Sequence, residues 1–301
     1  MTLPANMDAH VRNRLVIFGC GYVGSAVARD ALNRGWHVTA LTRNAAKASV
    51  LREGGIEVVV ADLASPSWYE QVPNSPQLVL NCVSSGGGGI DGYRRSYLEG
   101  MASILAWSQL GREPIGTFVY TSSTSVYGQG GGVVLDESAS TETSGERGQL
   151  LTETEAALQT AQGVCRRWFV LRLAGIYGPE RNYFVDQVRL GQVSGMGEQH
   201  LNLIHRDDIV GAIWACFGAP PAIANEVFNV ADDGAATRAE IASWLAGRFG
   251  VPGPQFTGEP AGGRQRVTPD RIIGNTKLKA RLGWQLRHPT FREGYAKLLS
   301  R

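Results

Sequence analysis

The stretch Leu15-Val16-Ile17-Phe18-Gly19-Cys20-Gly21-Tyr22-Val23-Gly24 decides the fold. Its first four residues form an uninterrupted apolar run, which is typical of a strand buried on both faces. A G-x-G-x-x-G turn follows at once, and apolar residues then recur at helical spacing as far as Leu32. Gly35 is placed to end that helix, and Trp36–Leu41 predicts a second strand. A strand, glycine turn, helix and strand within about 30 residues predict a βαβ unit.

The same alternation continues along most of the chain. Further apolar, strand-like runs occur at Glu57–Val60, Leu78–Val83, Phe118–Tyr120, Trp168–Leu173 and Val227–Val230. Segments long enough for helices lie between them, notably Tyr93–Leu110, Leu150–Ala161 and Arg206–Phe217. Apolar strands alternating with helices are typical of a parallel sheet covered on both faces. We therefore predict an α/β protein with a Rossmann-type, doubly wound parallel sheet.

The regularity of this pattern also suggests how the chain is divided. Residues 13–178 are assigned to a nucleotide-binding Rossmann domain, and residues 200–231 are expected to return to it. Residues 179–199 and 232–301 lack regular alternation and are assigned to a small, interleaved C-terminal subdomain on the substrate side. Within that subdomain, Thr237 and Glu240 have the spacing of a helix capping box.

Composition excludes several classes of function. The 301 residues carry 29 Lys and Arg against 27 Asp and Glu, and so weak a surplus argues against a nucleic-acid or membrane-surface partner. No run approaches the roughly 20 apolar residues of a membrane-spanning helix, and the leader Met1–Asn13 is polar. The four cysteines form no C-x-x-C pair, which favours reduced thiols in a cytoplasmic protein. The histidines show no metal-ligand spacing, so no metal site is expected.

The three glycines of the turn have distinct physical roles in a dinucleotide site. Gly19 permits the tight turn, Gly21 lets the backbone approach a pyrophosphate, and Gly24 lets the helix pack closely on the sheet. The helix that follows offers backbone N–H groups and a positive dipole end to the phosphates. The alternative interpretation is a glycine turn that binds no ligand.

The residues after the second strand bear on the choice of cofactor. Sites that prefer NAD usually place Asp or Glu there to hold the ribose hydroxyls. The segment Thr39–Asn44 has no carboxylate and instead contains Arg43, whose guanidinium could pair with a 2′-phosphate. This favours NADP(H), with NAD(H) still possible. Arg43 could alternatively be a solvated loop residue.

Several longer motifs resemble a known family. They are Ala61-Asp62-Leu63, Asn81-Cys82-Val83-Ser84, Tyr120-Thr121-Ser122-Ser123-Thr124-Ser125-Val126-Tyr127-Gly128, Leu171-Arg172-Leu173-Ala174-Gly175-Ile176-Tyr177-Gly178-Pro179 and Ile204-His205-Arg206-Asp207-Asp208-Ile209. With the glycine turn, they resemble the short-chain dehydrogenase/reductase superfamily, in its extended, NAD(P)-dependent epimerase/dehydratase-like branch. The resemblance covers most of the chain, from about Arg14 onward.

The glycine turn, Arg43 and this resemblance together give the expected cofactor-binding residues. They are Gly19, Cys20, Gly21, Tyr22, Val23, Gly24, Arg43, Asp62, Leu63, Cys82, Val83, Ser84 and Thr121. In the family, the position of Asp62 commonly contacts adenine.

The sequence departs from the family at the usual catalytic pair. The family uses Tyr-x-x-x-Lys on the helix after the fifth strand, where the lysine lowers the pKa of the tyrosine. Aligning that helix through Glu155 places Arg147 at the tyrosine position and Leu151 at the lysine position. The only lysines are Lys47, Lys277, Lys279 and Lys297, and none has a tyrosine four residues before it. The usual pair is therefore missing from the sequence.

Other side chains are left as candidates for chemistry. Hydroxyls of Ser123 or Tyr127 could orient a substrate or exchange a proton with it. Alternatively, Ser123 caps local backbone groups and Tyr127 packs in the core. Candidate substrate contacts are Ser85, Thr124, Tyr177 and His205, and the last of these could equally be a packed histidine. Less specific pocket candidates are Tyr93 and Arg94, and also Arg264 and Arg266, which could bind an anionic substrate or be solvated.

These observations favour an enzyme with a bound nicotinamide cofactor. The expected function is an NADP(H)-binding oxidoreductase or epimerase-like enzyme that acts on a small carbonyl, hydroxy or nucleotide-sugar compound. The rival hypothesis, motivated by the missing Tyr-x-x-x-Lys pair, is a catalytically silent NADP(H)-binding protein that reports redox state to a partner. A homodimer through the helices at Tyr93–Leu110 and Leu150–Ala161 is what the family resemblance implies.

Overall fold

The structure, a computed structural model, describes residues 13–258 and 269–299. Arg264 and Arg266 lie outside the described residues. The strands are β1 (Arg14–Phe18), β2 (His37–Thr42), β3 (Glu57–Val60), β4 (Leu78–Asn81), β5 (Ile115–Ser123), β6 (Val133–Leu135), β7 (Cys165–Leu173), β8 (Gly175–Tyr177), β9 (Gln192–Val193), β10 (Leu203–His205), β11 (Glu226–Val230), β12 (Gln255–Phe256) and β13 (Arg271–Ile273).

Helices connect most of these strands. They are α1 (Tyr22–Asn33), α2 (Ala45–Glu53), α3 (Gly89–Arg94), α4 (Gly100–Ser108), α5 (Glu146–Thr160), α6 (Tyr183–Arg189), α7 (Arg206–Phe217), α8 (Arg238–Phe249), α9 (Thr276–Leu282) and α10 (Phe291–Leu299). A π-helical turn (Arg95–Glu99) joins α3 to α4, and short 3₁₀ turns cover Pro66–Trp68 and Thr124–Val126.

Seven strands form the central sheet, in the order β11-β7-β5-β4-β1-β2-β3. The pairs β2–β3, β1–β2, β1–β4 and β4–β5 are parallel, and Leu15 is in register with Val38 on one side and Leu78 on the other. The strand order reverses between β1 and β4, which makes a crevice at their carboxyl ends. The predicted Rossmann-type, doubly wound fold is confirmed.

The apolar run that opens the sequence lies at the centre of the sheet. Residues from Leu15 to Phe18 are fully buried. Phe18 packs edge-on against Trp68 and Trp107, with ring centroids 5.1 and 5.4 Å apart. Both indole N–H groups donate to backbone carbonyls, so these large rings are buried without an unpaired donor.

The predicted element boundaries agree with the structure where the apolar pattern is unbroken. The strand at Glu57–Val60, the helix at Arg206–Phe217 and the capping box of Thr237 and Glu240 are all found as predicted. The single helix predicted over Tyr93–Leu110 is wrong in detail, because the helical segment begins at Gly89 and contains the π-helical turn. The strand predicted to reach Val83 ends at Asn81.

The chain divides into two compact units. The first comprises residues up to Val126, Ser144–Arg172 and Ile213–Phe228, and its core is built on the central sheet. The second comprises Tyr127–Thr143, Leu173–Ala212 and the residues from Asn229 onward. Its core consists mainly of side chains from α6, α8 and α10. Residues 127–143, 173–178, 200–212 and 229–231 therefore fall in the second unit, whereas the sequence pattern assigned them to the Rossmann domain.

Within residues 13–258 and 269–299, no helix is both long and apolar enough to cross a membrane.

A buried ion pair joins three elements of the first unit. Arg172 on β7 donates from Nε and Nη2 to the carboxylate of Glu155 on α5, with a shortest distance of 2.7 Å. Ser122, near the end of β5, donates to the same carboxylate over 2.6 Å. Glu155 is 2% exposed and Arg172 is 7% exposed. Because both charges are out of water, each is stabilised by the other.

Removing one member of this pair is expected to destabilise the protein strongly. In Glu155→Ala, the Arg172 guanidinium stays buried without its carboxylate, which should cost about 3–5 kcal/mol of unfolding free energy. The matched control is Glu113→Ala. Glu113 forms an ion pair with Arg166 over 3.5 Å, and the two side chains are 72% and 68% exposed, respectively. The control should lose less than about 1 kcal/mol. Urea unfolding followed by tryptophan fluorescence measures both, and equal losses would contradict the assignment.

Candidate functional site

The crevice between β1 and β4 is formed by two backbones that approach closely. Gly19 has a φ of +89°, and a Cβ built on it would lie 2.6 Å from backbone atoms of Val83. A Cβ on Gly24 would lie 2.6 Å from the carbonyl oxygen of Gly19 and 2.9 Å from Sγ of Cys82. Both contacts are closer than real Cβ atoms show. Glycine is therefore required at both positions by packing inside the protein.

Gly21 differs, because a Cβ on it would meet no atom within 4 Å. It is the N-cap residue of α1, and no side chain caps that helix end. The space above Gly21 leads to the positive end of the α1 dipole, where an anion is stabilised. The backbone at Gly21 is open, and it lies between two positions where packing requires glycine. An open cradle of this kind fits a dinucleotide pyrophosphate.

A cleft of about 390 Å³ extends from this cradle. Its lining residues are Gly19, Cys20, Gly21, Leu41, Thr42, Arg43, Asn44, Lys47, Asp62, Leu63, Cys82, Val83, Ser84, Gly86, Arg95 and Ser96. They come from the carboxyl ends of β1 to β4 and from the helices that follow those ends. This is the edge where open α/β sheets bind ligands.

The cleft carries more positive than negative charge. Arg43, Lys47 and Arg95 line it, and Asp62 is the carboxylate opposite them. Nη2 of Arg95 lies 2.8 Å from Oδ2 of Asp62. Although partial burial acts to raise it, the hydrogen bonds from Arg95 and the Ala64 N–H hold the pKa of Asp62 below its usual value. Asp62 is therefore ionised at neutral pH and its charge is matched by Arg95.

Arg43 is held next to the glycine tract that follows β4. A Cβ on Gly86 would collide with the guanidinium of Arg43, so glycine at this position leaves room for the guanidinium. The N-cap Asn44 begins α2 directly after Arg43, and its side chain accepts from the backbone N–H of Lys47. Arg43 and Lys47 are thereby presented on the same wall of the cleft.

Nine of the expected cofactor-binding residues line the cleft, and four do not. Those that do are Gly19, Cys20, Gly21, Arg43, Asp62, Leu63, Cys82, Val83 and Ser84. Tyr22, Val23, Gly24 and Thr121 do not line it. Gly24 packs beneath the turn, and Thr121 is buried with its hydroxyl turned to the carbonyl of Asn81. Cofactor contact by any of the thirteen stays a prediction.

Sequence reasoning missed seven lining residues. They are Leu41, Thr42, Asn44, Lys47, Gly86, Arg95 and Ser96. Thr42 and Asn44 flank Arg43 and could have been found from their place at the end of β2. Arg95 and Ser96 lie in the π-helical turn, and no motif of the sequence marks that turn.

Two cysteines of the cleft are poor nucleophiles. Burial raises the pKa of the Cys20 thiol to about 12, and burial together with the neighbouring Cys20 raises that of Cys82 well above its usual value. The Cys82 thiol donates to the carbonyl of Gly19 over 3.1 Å. Both side chains therefore serve to pack the glycine turn.

Comparison with known proteins agrees with this geometry. The model of the NAD dependent epimerase/dehydratase family matches residues 15–231. The chain belongs to this family. It is 25% identical over 281 residues to Protein YeeZ of Escherichia coli strain K12, covering 92% of this chain and 96% of that protein.

Two solved structures have a similar fold. A putative NAD-dependent epimerase/dehydratase from Methylobacillus flagellatus is 27% identical, with a TM-score of 0.72 and coverage of 96% of this chain and 98% of that one. A UDP-glucuronic acid 4-epimerase from Bacillus cereus in complex with NAD is 18% identical, with a TM-score of 0.76 and coverage of 96% and 100%. At that identity, the second likeness concerns the fold.

In this epimerase/dehydratase family member, the two residues predicted to be catalytic have local partners. Ser123 is half-buried at the end of β5, and its Oγ accepts from the backbone N–H of Ser125 over 3.2 Å. Tyr127 is 1% exposed and its hydroxyl donates to Oδ1 of Asn229 over 2.8 Å. These contacts favour the capping and packing roles that the sequence left open, and catalysis by either residue stays a prediction.

The predicted substrate contacts lie in different parts of the family fold. Ser85 is half-buried just beyond β4, and Thr124 is buried in the 3₁₀ turn after β5. In the second unit, Tyr177 and His205 are buried at 3% and 1% exposure, with their rings 5.3 Å apart in an edge-on contact. Burial of that degree favours a packed histidine and a packed tyrosine.

One cluster of the second unit has the composition of a metal site. Ligand atoms of His205, Asp208 and His288 lie within 4.8 Å of one another. Nδ1 of His205 accepts from the backbone N–H of Asp207 over 3.2 Å, so the proton of the neutral ring is on Nε2, which therefore has no lone pair for a metal. The Asp208 carboxylate already accepts from the Arg287 N–H and from His288 Nδ1. We assign the cluster to packing.

His205 is held neutral by its surroundings. Burial, together with the neighbouring His288, lowers the pKa of His205 to about 4. The ring centroids of His205 and His288 lie 3.8 Å apart, so the His205 ring is packed directly against its neighbour. A neutral ring is consistent with the assignment to packing.

Alanine substitutions in the glycine turn are expected to separate packing from ligand binding. Gly24→Ala places a Cβ against the Gly19 carbonyl and should destabilise the protein by about 1–3 kcal/mol. Gly21→Ala meets open space, so its cost should come only from the N-cap backbone, where glycine is preferred to alanine, and should stay at about 1 kcal/mol or less. The same variant should nevertheless weaken binding of a nicotinamide dinucleotide at least about tenfold, because its methyl group fills the cradle.

Thermal unfolding and fluorescence titration with reduced cofactor measure the two effects. Gly35→Ala is unsuitable as a control because its φ is +78°. Gly247→Ala, in α8 with no atom within 4 Å of its Cβ, is the matched control. Gly247→Ala should lower neither the stability of the protein nor its affinity for the cofactor. Unchanged cofactor binding in Gly21→Ala would contradict the cradle assignment.

Proposed function

We propose that this protein is an NADP(H)-dependent oxidoreductase or epimerase/dehydratase-like enzyme acting on a small carbonyl, hydroxy or nucleotide-sugar compound. The observation that carries the proposal is the open cradle at Gly21, continued by a cleft with three cationic side chains. Membership of the epimerase/dehydratase family supports the reaction class. The nucleotide-sugar epimerases among its structural neighbours support the substrate class only by analogy of fold.

Charge in the cleft supports NADP(H) over NAD(H). A ribose 2′-phosphate brings additional negative charge, and guanidinium groups bind phosphate through paired N–H donors. Arg43 and Lys47 are available on the wall that follows β2, while the nearby carboxylate of Asp62 is paired with Arg95. The end of β2, at Thr42, offers no carboxylate to accept from the ribose hydroxyls of NAD.

The division of labour follows from these residues. A bound nicotinamide supplies hydride chemistry, and the protein supplies binding and orientation. The Gly21 cradle and the α1 dipole would hold the pyrophosphate, Arg43 and Lys47 would bind the adenosine phosphate, and Asp62 would lie on the adenine side.

The preference for NADPH is expected to depend on Arg43. Arg43→Ala should weaken NADPH binding about 10- to 100-fold and change NADH binding less than about threefold, because only NADPH carries the phosphate that the guanidinium pairs with. Arg34→Ala is the control, since Arg34 is an exposed arginine paired with Asp30 at the far end of α1. Fluorescence titration at several salt concentrations measures both. If the protein binds NADH and NADPH equally well, and Arg43→Ala changes neither affinity, the NADP(H) assignment is rejected.

The enzymatic part of the proposal is tested by turnover. Purified protein with NADPH should reduce at least one member of a panel of small ketones, aldehydes and oxidised nucleotide sugars, read as loss of absorbance by the reduced cofactor. Heat-inactivated protein and the Gly21→Ala variant are the controls. Tight NADPH binding without turnover of any panel member would instead favour a catalytically silent cofactor-binding protein that signals redox state to a partner.

A further inference from the structure

Two tyrosines of the first unit form a polar cluster next to the cleft. Tyr93 is at the end of α3 and Tyr97 is in the π-helical turn, with ring centroids 4.4 Å apart and planes inclined by 42°. The guanidinium carbon of Arg147, in the first turn of α5, lies 5.6 Å from the centre of the Tyr93 ring. Ser125, in the 3₁₀ turn after β5, interacts with the Tyr93 hydroxyl.

The local backbone is built to place these rings. Gly87, Gly88 and Gly89 all have φ in the left-handed region, between +63° and +103°. Gly92 packs so closely on the Gly87 carbonyl that a Cβ would collide with it. The π-helical turn then begins at Arg95, and such turns are frequent at functional sites. The glycine tract and the π turn together set the position of Tyr93 and Tyr97.

The cluster continues the wall of the cleft. Ser84 and Ser96 line the cleft, and the next residues along the chain are Ser85 and Tyr97. The Tyr97 hydroxyl interacts with the backbone of Ser85. Tyr93 and Tyr97 therefore lie just past the last lining residues of β4 and of the π turn.

The surroundings of Tyr93 determine its proton state. Burial, and then the neighbouring Tyr97, raise the pKa of Tyr93 well above its usual value, while Arg147 and Ser125 act in the opposite direction. Tyr93 is therefore a protonated phenol at neutral pH and can act as an acid. The cation and the hydroxyl beside it are placed to stabilise the phenolate once the proton has left.

We infer that Tyr93 donates the proton to the substrate oxygen during carbonyl reduction, and that Arg147 is a positioning residue that stabilises the resulting phenolate. This inference rests on the proposed function. Arg147 occupies the position that aligns with the family's catalytic tyrosine, and in this proposal it has an electrostatic role. The proton donor is instead Tyr93, which lies on another helix.

The proton and electron balance of the step is simple. The reduced cofactor supplies a hydride to the carbonyl carbon, and the π electrons of the C=O bond move to its oxygen. That oxygen bonds to the proton of Tyr93 as the phenolic O–H bond breaks, which gives the alcohol and a phenolate. The phenolate regains a proton from solvent at the exposed side of the cluster, where Ser125 and Arg147 lie.

Phenylalanine substitutions test the donor directly. Using the panel compound that the wild-type protein reduces best, Tyr93→Phe should lower kcat about 100-fold or more, with the Kd for NADPH changed less than about twofold. Tyr97→Phe, which keeps the ring contact, should lose about tenfold or less. Tyr69→Phe is the matched control, because Tyr69 is a half-buried tyrosine of the same unit whose hydroxyl contacts Ser103. It should retain activity within about twofold.

Arg147 is tested by how its loss divides between kcat and binding. Arg147→Met removes the cation over the Tyr93 ring, so kcat should fall about tenfold while the KM for substrate and the Kd for NADPH change less than about twofold. Arg147→Lys, which keeps the positive charge, should recover part of kcat. Equal loss of kcat in both variants, or a matching loss of cofactor binding, would contradict the role of Arg147 and indicate a merely structural one.

A second measurement needs no substrate. In protein labelled with ¹³C at the tyrosine ring carbon that bears the hydroxyl, the Tyr93 signal is the one lost in Tyr93→Phe. It should shift when NADP⁺ is added, and it should shift in Arg147→Met, which removes the cation over the ring.

The outcomes distinguish the two proposals. If the wild-type protein reduces no panel compound, the proposed function fails, and the NMR shifts decide the placement of Tyr93. If the wild-type protein is active but Tyr93→Phe keeps kcat within about threefold, the proton-donor inference is overturned. It is also overturned if the Tyr93 signal ignores both NADP⁺ and Arg147→Met.

Discussion

The close approach of two backbones, at the ends of β1 and β4, is the constraint on which the site depends. Neighbouring strands of a sheet lie only about 4.8 Å apart, and the chain leaves β1 and β4 in opposite directions. At that point the Gly19 N–H donates to Leu41 and the Cys82 N–H donates to Phe18, so the ladder continues beyond the strands. No side chain can stand between Gly19 and Val83. The crevice is thus a consequence of strand order, and glycine keeps it open.

Charge placement follows from the same constraint. The carboxyl ends of parallel strands meet at one edge, so residues that follow β2, β3 and β4 converge although they are far apart in sequence. Arg43, Asp62 and Ser84 come together in this way. Arg95 is added from the π turn and neutralises Asp62, which leaves Arg43 and Lys47 as the cations without a carboxylate of their own in the cleft.

The fold was predictable because the strands are apolar and the glycines occupy positions that packing demands. The length of β5 was underestimated, since Thr121 and Ser122 are polar and yet are buried by hydrogen bonds to Asn81 and Glu155. A pattern of apolar residues cannot reveal a partner 33 residues away. For the same reason, the contact between Asp208 and His288 could not be predicted, because the two residues are separated by 80 positions. Single-residue roles therefore depend on long-range contacts, while the architecture depends on local pattern.

The kind of cation beside Tyr93 determines which proton transfer this residue is suited to. A lysine ammonium can approach a phenol edge-on and hold it ionised, whereas the Arg147 guanidinium lies over the face of the Tyr93 ring. A cation on the ring face stabilises the phenolate less than a direct N–H contact to its oxygen, and burial opposes ionisation further. Tyr93 is thus suited to give up a proton to a strongly basic alkoxide and poorly suited to remove one from an alcohol. The protonated phenol, which is the form present near neutral pH, is the form that the proposed carbonyl reduction requires.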